Sequence, residues 1–272
     1  MNHKRKKINR IKVILSASIA VLLVLIALFA SVIAPNDPYE TCASAIRKAP
    51  SAEFLFGTDN LGRCVFSRVL YGARTTIAAT FILVAISFIL GSFIGVLSGY
   101  YGGILDEITM RIADIMLSFP QMVVAIAVAG ILGGGLTSAM IALGITMWTG
   151  FARLARSHTF AIKNCPYVQA ARLAGKSGSA IMMAHILPNI IAPLLTNALT
   201  QIGTTMIGIS GLSFLGLGVV PPTAEWGSMI NESRAYIQIA PWAVLYPAIA
   251  TIVTIIVFNY LGDCVMEYRD ED

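Results

Sequence analysis

Charged positions divide this chain unevenly and leave five long apolar stretches that carry no charge. They cover residues 13–34, 75–105, 115–152, 190–214 and 242–261. A helix needs about 20 predominantly apolar residues to cross a hydrocarbon core roughly 30 Å thick. Only helices and closed barrels satisfy the backbone within lipid, and none of the stretches alternates with period two as barrel strands do. The pattern predicts an all-α, polytopic membrane protein.

The third stretch, residues 115–152, is too long for a single span. Gly133, Gly134 and Gly135 stand in its middle, and glycine adopts turn conformations without steric cost. A turn at this triplet divides the stretch in two. The chain is therefore predicted to have six transmembrane helices.

Composition and charge add an orientation to this picture. The chain is 57% hydrophobic and only 12% charged, which excludes an ordinary soluble domain. Basic residues precede the first span, which places the N-terminus in the cytoplasm. Four spans later the chain returns there at Arg153, and residues 153–188 hold basic but no acidic side chains. Two further spans leave the C-terminus on the same side. The N-terminal basic residues are Lys4, Arg5, Lys6, Lys7, Arg10 and Lys12.

The cytoplasmic segment contains the sequence YVQAARLAGKSGSAIMMAHILPN at residues 167–189. Residues 167–174 predict a short helix, after which Gly175 allows a turn. Pro188 is suited to start the next helix, because a first turn tolerates its missing amide. The segment resembles the coupling loop, or EAA loop, of permease subunits of binding-protein-dependent ABC importers, where Glu-Ala-Ala, a glycine and Ile-x-Leu-Pro recur at fixed spacing. The matching positions are Gln169, Ala170, Ala171, Gly175, Leu187 and Pro188, with His185 at the Ile position.

Two external stretches extend this resemblance over most of the chain. Residues 56–74, FGTDNLGRCVFSRVLYGAR, resemble the GTDxxGRDxxSRxxYGAR signature of the dipeptide, oligopeptide and nickel branch of these permeases. Cys64 stands where that branch has Asp, so an ion pair made by that Asp is not expected here. Residues 213–237 match the same branch.

The resemblance implies a type I ABC importer permease fold in the bacterial cytoplasmic membrane. Residues 1–74 would form a cytoplasmic tail, the first transmembrane helix and an external segment. Residues 75–272 would form a five-helix permease core, with the coupling loop at about 153–188. The implied partners are a homologous second permease, two ATP-binding subunits and an extracytoplasmic solute-binding protein. The chain would form part of the path for peptides or nickel, and the sequence leaves that choice open.

No energy-converting site is expected in the chain itself. Residues 170–177, AARLAGKS, approach a phosphate-binding loop, but Ala170 replaces its first glycine and no strand precedes it. We therefore expect no catalytic residues and no cofactor bound here, and ATP with Mg²⁺ to be used by the partner subunits. Coupling would depend on Ala170, Ala171 and Ala174, whose small side chains let a partner approach the helix.

A glycine repeat within the second apolar stretch predicts close helix packing. Gly91, Gly95 and Gly99 recur at four-residue spacing, which places them on one helix face. Glycine on such a face lets two membrane helices approach closely. The partner helix could lie within the bundle or in a second permease.

The second external stretch contains four candidate contact residues, and two interpretations of them stay open. They either belong to a proline-rich turn that closes the mouth of the bundle, or they contact the binding protein or the substrate. The four residues are Glu225, Trp226, Asn231 and Arg234.

Other polar residues predict no further chemistry. His185 is isolated from His3 and His158, so no metal site is expected. Cys42 and Cys64 both fall in the external segment, and whether they form a disulfide stays open. An ion-coupled secondary transporter is the alternative interpretation, but it would show charges in mid-span. An intramembrane enzyme would need a polar catalytic group within the spans, and the sequence has no such group.

Overall fold

The computed structural model describes residues 2–269, with side chains from residue 8 onward. It is all-helical over that range, and the prediction of an all-α membrane protein is confirmed. The α-helices are α1 (Asn2–Leu28), α2 (Ala30–Ile33), α3 (Val65–Tyr101), α4 (Gly103–Leu117), α5 (Gln121–Ile131), α6 (Leu136–Lys163), α7 (Pro166–Leu173), α8 (Gly178–Ile181), α9 (Leu187–Phe214), α10 (Trp226–Ser233) and α11 (Trp242–Arg269). Short 3₁₀ turns cover Ala43–Ala45 and Arg234–Tyr236, and a π-helical turn covers Met182–Ile186.

Among the described residues, five helices are long and apolar enough to cross a membrane, and the number is six if one bent pair of helices is a single span. The five are Ile8–Leu28 within α1, α3, α6, the continuous Gly178–Phe214 and α11. The bent pair is α4 with α5, whose axes meet at 87°. The turn predicted at the glycine triplet is confirmed, because Gly133, Gly134 and Gly135 all have positive φ angles (83°, 76° and 96°) between α5 and α6.

The bend between α4 and α5 was not predicted from the sequence. α4 ends at Leu117, and Pro120 has an extended ψ of 123° before α5 begins. A proline pushes the residue before it out of the helical region and lacks a backbone donor. The apolar stretch from residue 115 hides this break, because hydropathy does not register a proline between two helices.

α3 begins ten residues earlier than the predicted span, at Val65 instead of residue 75. The sequence placed the boundary at the charges of Arg68 and Arg74. In the structure Arg68 is buried, and its guanidinium lies 3.4 Å from a carboxylate oxygen of Glu232. A paired arginine can lie within a helix that a charge-free criterion would cut short.

The centre of the bundle is the contact between α3 and α6, which the glycine repeat makes possible. Gly91, Gly95 and Gly99 face backbone carbonyl oxygens of α6 that also recur every four residues. A Cβ atom built on these glycines would lie 2.3, 2.2 and 2.8 Å from the carbonyl oxygens of Trp148, Ala152 and Arg156, respectively. No side chain larger than hydrogen fits at these positions without separating the helices.

Candidate functional site

The coupling segment is built around α7, whose ends are both fixed by local sequence. Cys165 is the N-cap, and Pro166 occupies the first turn, where its missing amide costs nothing. At the other end Gly175 has a φ of +81°, and its amide donates to the carbonyl of Arg172 at 3.0 Å. The amide of Lys176 donates to Ala171 at 3.2 Å. These two bonds form a Schellman motif, which stops the helix at the predicted glycine.

The two faces of α7 have opposite environments. Val168 is 1% exposed and belongs to an apolar cluster that also contains Tyr100, Ile181 and Ile186, so it anchors α7 to the bundle. Leu173, on the other face, is 89% exposed. Tyr167, Ala170 and Ala174 are exposed as well. α7 therefore presents an apolar strip with small residues to the surroundings of the subunit. Leu173 was not identified from the sequence, although its spacing of three from Ala170 was a usable signal.

Gln169 and Ala171 are both half-buried, and Gln169 ties α7 to the preceding helix. The side-chain amide of Gln169 donates to the carbonyl of Lys163, the last residue of α6, at 3.3 Å. An uncharged amide can make this bond to a carbonyl, whereas a glutamate at the same position would have no proton to donate. Gln169 thus connects α7 to the end of α6 within this chain.

The end of the motif folds back onto α7. His185 lies in the π-helical turn, with its ring 6.1 Å from the ring of Tyr167 and its Nε2 atom 3.2 Å from Nζ of Lys176. Leu187 and Pro188 then start α9, where the missing amide of proline falls in the first turn. The structure thus brings His185 against α7, 18 residues away in sequence from Tyr167.

Of the four candidates in the second external stretch, two are buried in the subunit. Glu225 is 0% exposed and caps α10, accepting from the amides of Gly227 and Ser228 at 2.9 and 2.8 Å. Trp226 is 2% exposed, and its indole donates to the carbonyl of Val69 at 2.9 Å. Both side chains hold α10 in the mouth of the bundle, which is what the interpretation of this stretch as a closing turn expects. Asn231 is half-buried and Arg234 exposed, so these two stay candidates.

A buried ion cluster joins the external segment to α10. Arg63 contacts Asp59 at 2.6 Å and also Glu232, and Arg68 lies within 3.5 Å of the same two carboxylates. Both arginines are at most 2% exposed. Cys64 is the N-cap of α3 and makes no side-chain cap bond. Cys42 and Cys64 are both free thiols.

A hollow of about 220 Å³ lies between α5, α6 and α9. Its lining is mainly apolar, with Met122, Leu143, Met147 and Ile207, and its polar side chains come from Gln121, Gln201, Thr204 and Thr205. None of these residues was identified from the sequence, because single amides and hydroxyls do not interrupt an apolar stretch. Polar side chains in mid-span are nevertheless costly in lipid, which is the signal that could have found them.

Comparison with known proteins decides what kind of molecule carries these features. Residues 91–271 match the family model described as "Binding-protein-dependent transport system inner membrane component". The chain belongs to this family. It is therefore a permease subunit of an ABC importer, a multi-pass inner membrane protein of a system that includes ATP-binding and solute-binding partners.

Two curated relatives cover nearly the whole permease. It is 38% identical over 267 residues to the dipeptide transport system permease protein DppC of Alkalihalophilus pseudofirmus. The aligned region covers 98% of this chain and 88% of that protein. It is 39% identical over 260 residues to the glutathione transport system permease protein GsiD of Escherichia coli O1:K1 / APEC. This aligned region covers 94% of this chain and 84% of that protein.

Solved structures support the fold of the permease. An inward-facing MetNI methionine ABC transporter aligns with a TM-score of 0.59 at 19% identity, covering 76% of this chain and 97% of that chain. An amino acid ABC transporter aligns with a TM-score of 0.56 at 17% identity, covering 75% and 94%. The type I ABC importer permease fold implied by the sequence is confirmed, and the secondary-transporter alternative receives no support.

Proposed function

We propose that this permease carries short peptides across the cytoplasmic membrane, driven by ATP-binding subunits that dock on α7. The observation that carries the proposal is the exposed apolar strip of α7, at Tyr167, Ala170 and Leu173, on a helix anchored to the bundle by Val168. An apolar side chain as exposed as Leu173, outside the membrane spans, fits burial against a partner. The names of the dipeptide and glutathione relatives support a peptide substrate.

The proposed assembly contains a homologous second permease, two ATP-binding subunits and an external solute-binding protein. ATP with Mg²⁺ is consumed in the ATP-binding subunits, and both termini of the permease lie in the cytoplasm. When the ATP-binding subunits close, they displace α7. Because Gln169 fastens α7 to the end of α6 and Val168 fastens it to the bundle, this displacement is passed to the membrane helices. Nickel, which the sequence left open as a substrate, is an outcome of the test below.

Leu173→Asp is expected to uncouple the importer without unfolding the permease. The side chain is 89% exposed, so the subunit alone loses no buried contact. Against an ATP-binding subunit, the change removes an apolar contact and places a charge in the interface. Burial of a leucine contributes about 1.5–3 kcal/mol, so peptide uptake should fall at least about tenfold. The assay is ATP-driven uptake by the purified complex in proteoliposomes, with dialanine, glutathione and Ni²⁺ as cargo.

Ser179→Asp provides the matched control, because Ser179 is exposed on the same loop but lies outside α7. It should keep uptake and recovery of the ATP-binding subunits near the wild-type level. The coupling role of α7 would be refuted by a Leu173→Asp complex that co-purifies with its ATP-binding subunits and transports normally. A wild-type complex that imports only Ni²⁺ would refute the peptide proposal.

The proposed orientation predicts that Cys42 reacts with a membrane-impermeant maleimide added outside intact cells. Cys42 is half-buried and free, and the hydroxyl of Ser44, 3.2 Å from its sulfur, lowers the pKa of the Cys42 thiol. A lower pKa raises the thiolate fraction at a given pH, and thiolate is the reactive form. Labelling should disappear in Cys42→Ser. Labelling of Cys42 that requires permeabilised cells would contradict a cytoplasmic N-terminus.

A further inference from the structure

The hollow between α5, α6 and α9, with its four polar side chains, lies near the middle of the membrane-spanning region. Gln201 follows the start of α9 at Leu187 by 14 residues and precedes its end at Phe214 by 13. At about 1.5 Å per residue, it stands some 20 Å from either end. Met147 of α6 lines the same hollow, as does Gln121, the first residue of α5 after the bend at Pro120.

This surface does not suit contact with lipid. Gln121 and Thr204 are exposed on the isolated subunit, and Gln201 is half-buried. Transferring an amide or hydroxyl into a medium without hydrogen bonds costs about 4–8 kcal/mol. The neighbouring helices expose isoleucine and leucine, such as Ile252 of α11, which suit lipid. The hollow must therefore face another protein or a water-filled path.

The side chains of the hollow retain free hydrogen-bonding capacity. Oε1 of Gln201 accepts from the hydroxyl of Thr204 at 3.0 Å. Within residues 8–269, Nε2 of Gln201 and both polar atoms of the Gln121 amide have no hydrogen-bond partner. The lining contains no charged residue. It thus offers amide donors and acceptors, which complement the N–H and C=O groups of a peptide bond.

We infer that Gln121, Gln201 and Thr204 form a contact site for the backbone amides of the transported peptide. This inference rests on the proposed function and gives the peptide path its first named residues. The hollow of about 220 Å³ is smaller than the roughly 300–1,000 Å³ of ligand pockets that enclose their ligand. It is therefore half of a site, and the facing permease supplies the other half. Recognition through backbone amides accepts peptides of varied side chains.

The first test removes hydrogen-bonding groups at nearly constant volume. Gln201→Met and Thr204→Val are expected to lower uptake of dialanine by the reconstituted complex about five- to tenfold, the effect of losing one hydrogen bond. ATPase activity stimulated by the binding protein should stay within twofold of wild type. Thr251→Val is the control, because Thr251 lies on α11, outside the hollow, and its hydroxyl donates to the carbonyl of Pro247 at 2.8 Å. It should leave uptake unchanged.

The second test measures access of water and peptide to the hollow. In a permease whose native cysteines are replaced by serine, Thr204→Cys is expected to react with a charged methanethiosulfonate in the assembled complex. Dialanine delivered by the binding protein should slow that reaction. Ile252→Cys on the apolar face of α11 should stay unreactive.

Support requires both results, and failure of either overturns the inference. Uptake within twofold of wild type in both variants shows that the hollow makes no contact with peptide. A Thr204→Cys thiol that never reacts shows that the second permease simply covers this face. Failure of the proposed function is distinct: the wild-type complex would then import no peptide at all.

Discussion

Replacing Arg63 by alanine is expected to lower the free energy of unfolding by about 3–5 kcal/mol. Its guanidinium is 2% exposed and contacts both Asp59 and Glu232. Removing it leaves the buried carboxylate of Asp59 and the half-buried carboxylate of Glu232 with only Arg68, 3.5 and 3.4 Å away, to balance them. A buried charge that loses its partner keeps its full desolvation penalty, which is why the loss exceeds that of an exposed ion pair.

Arg111→Ala is the control for this prediction. Arg111 pairs with Glu107 at 3.1 Å, but both side chains are well exposed, at 75% and 63%. Its removal should change stability by no more than about 0.5 kcal/mol. Unfolding of the two purified variants would be followed in mixed micelles of increasing denaturing detergent. Equal midpoints for Arg63→Ala and Arg111→Ala would show that the cluster does not hold the external segment.

The same change, glycine to alanine, is expected to have opposite effects at Gly95 and Gly130. A Cβ on Gly95 would lie 2.2 Å from the carbonyl oxygen of Ala152, and a backbone atom cannot rotate aside. Overpacking of this kind costs about 1–3 kcal/mol, and here the upper end applies because two helices must separate. A Cβ on Gly130 meets nothing within 4 Å. Alanine there should stabilise α5 by up to about 1 kcal/mol.

Measuring both variants by the same detergent titration cancels the effect of helix propensity, since each replaces a helical glycine by alanine. Gly95→Ala should also lower the yield of assembled complex, because the α3–α6 contact positions the coupling segment. A Gly95→Ala permease as stable as Gly130→Ala would mean that α3 and α6 are not held together by their backbones.

The sequence predicted those parts of the fold that depend on long apolar runs or on glycine. The spans, the turn at Gly133 and the short helix ending before Gly175 all follow from local chemistry. The early start of α3 at Val65 could not be predicted, because it depends on Glu232, a residue far along the chain that neutralises Arg63 and Arg68. The sequence alone does not show which distant residue neutralises a given charged side chain.

The candidate site was predictable in place but not in detail. The spacing of the motif located α7, yet it did not show which face would be exposed, because that face is set by the burial of Val168 in the apolar cluster. Glu225 and Trp226 were candidate contact residues because the sequence does not show which way a side chain points. They are a polar and an aromatic side chain in an external stretch, and only the folded bundle shows that they point inward.

The contact of carbonyl oxygens with glycine along α3 and α6 also determines how force travels through the molecule. Two helices in contact through their backbones cannot roll or slide independently, so α3 and α6 move as one unit. The longer of the two, α3, is about 55 Å long. At one end of this pair, Lys163 accepts the hydrogen bond from Gln169 of α7. At the other end, Arg63 and Arg68 pair with Glu232 of α10. In the proposed orientation, a push on α7 at the cytoplasmic end would therefore be passed along α3 and α6 to α10 at the other end of the bundle.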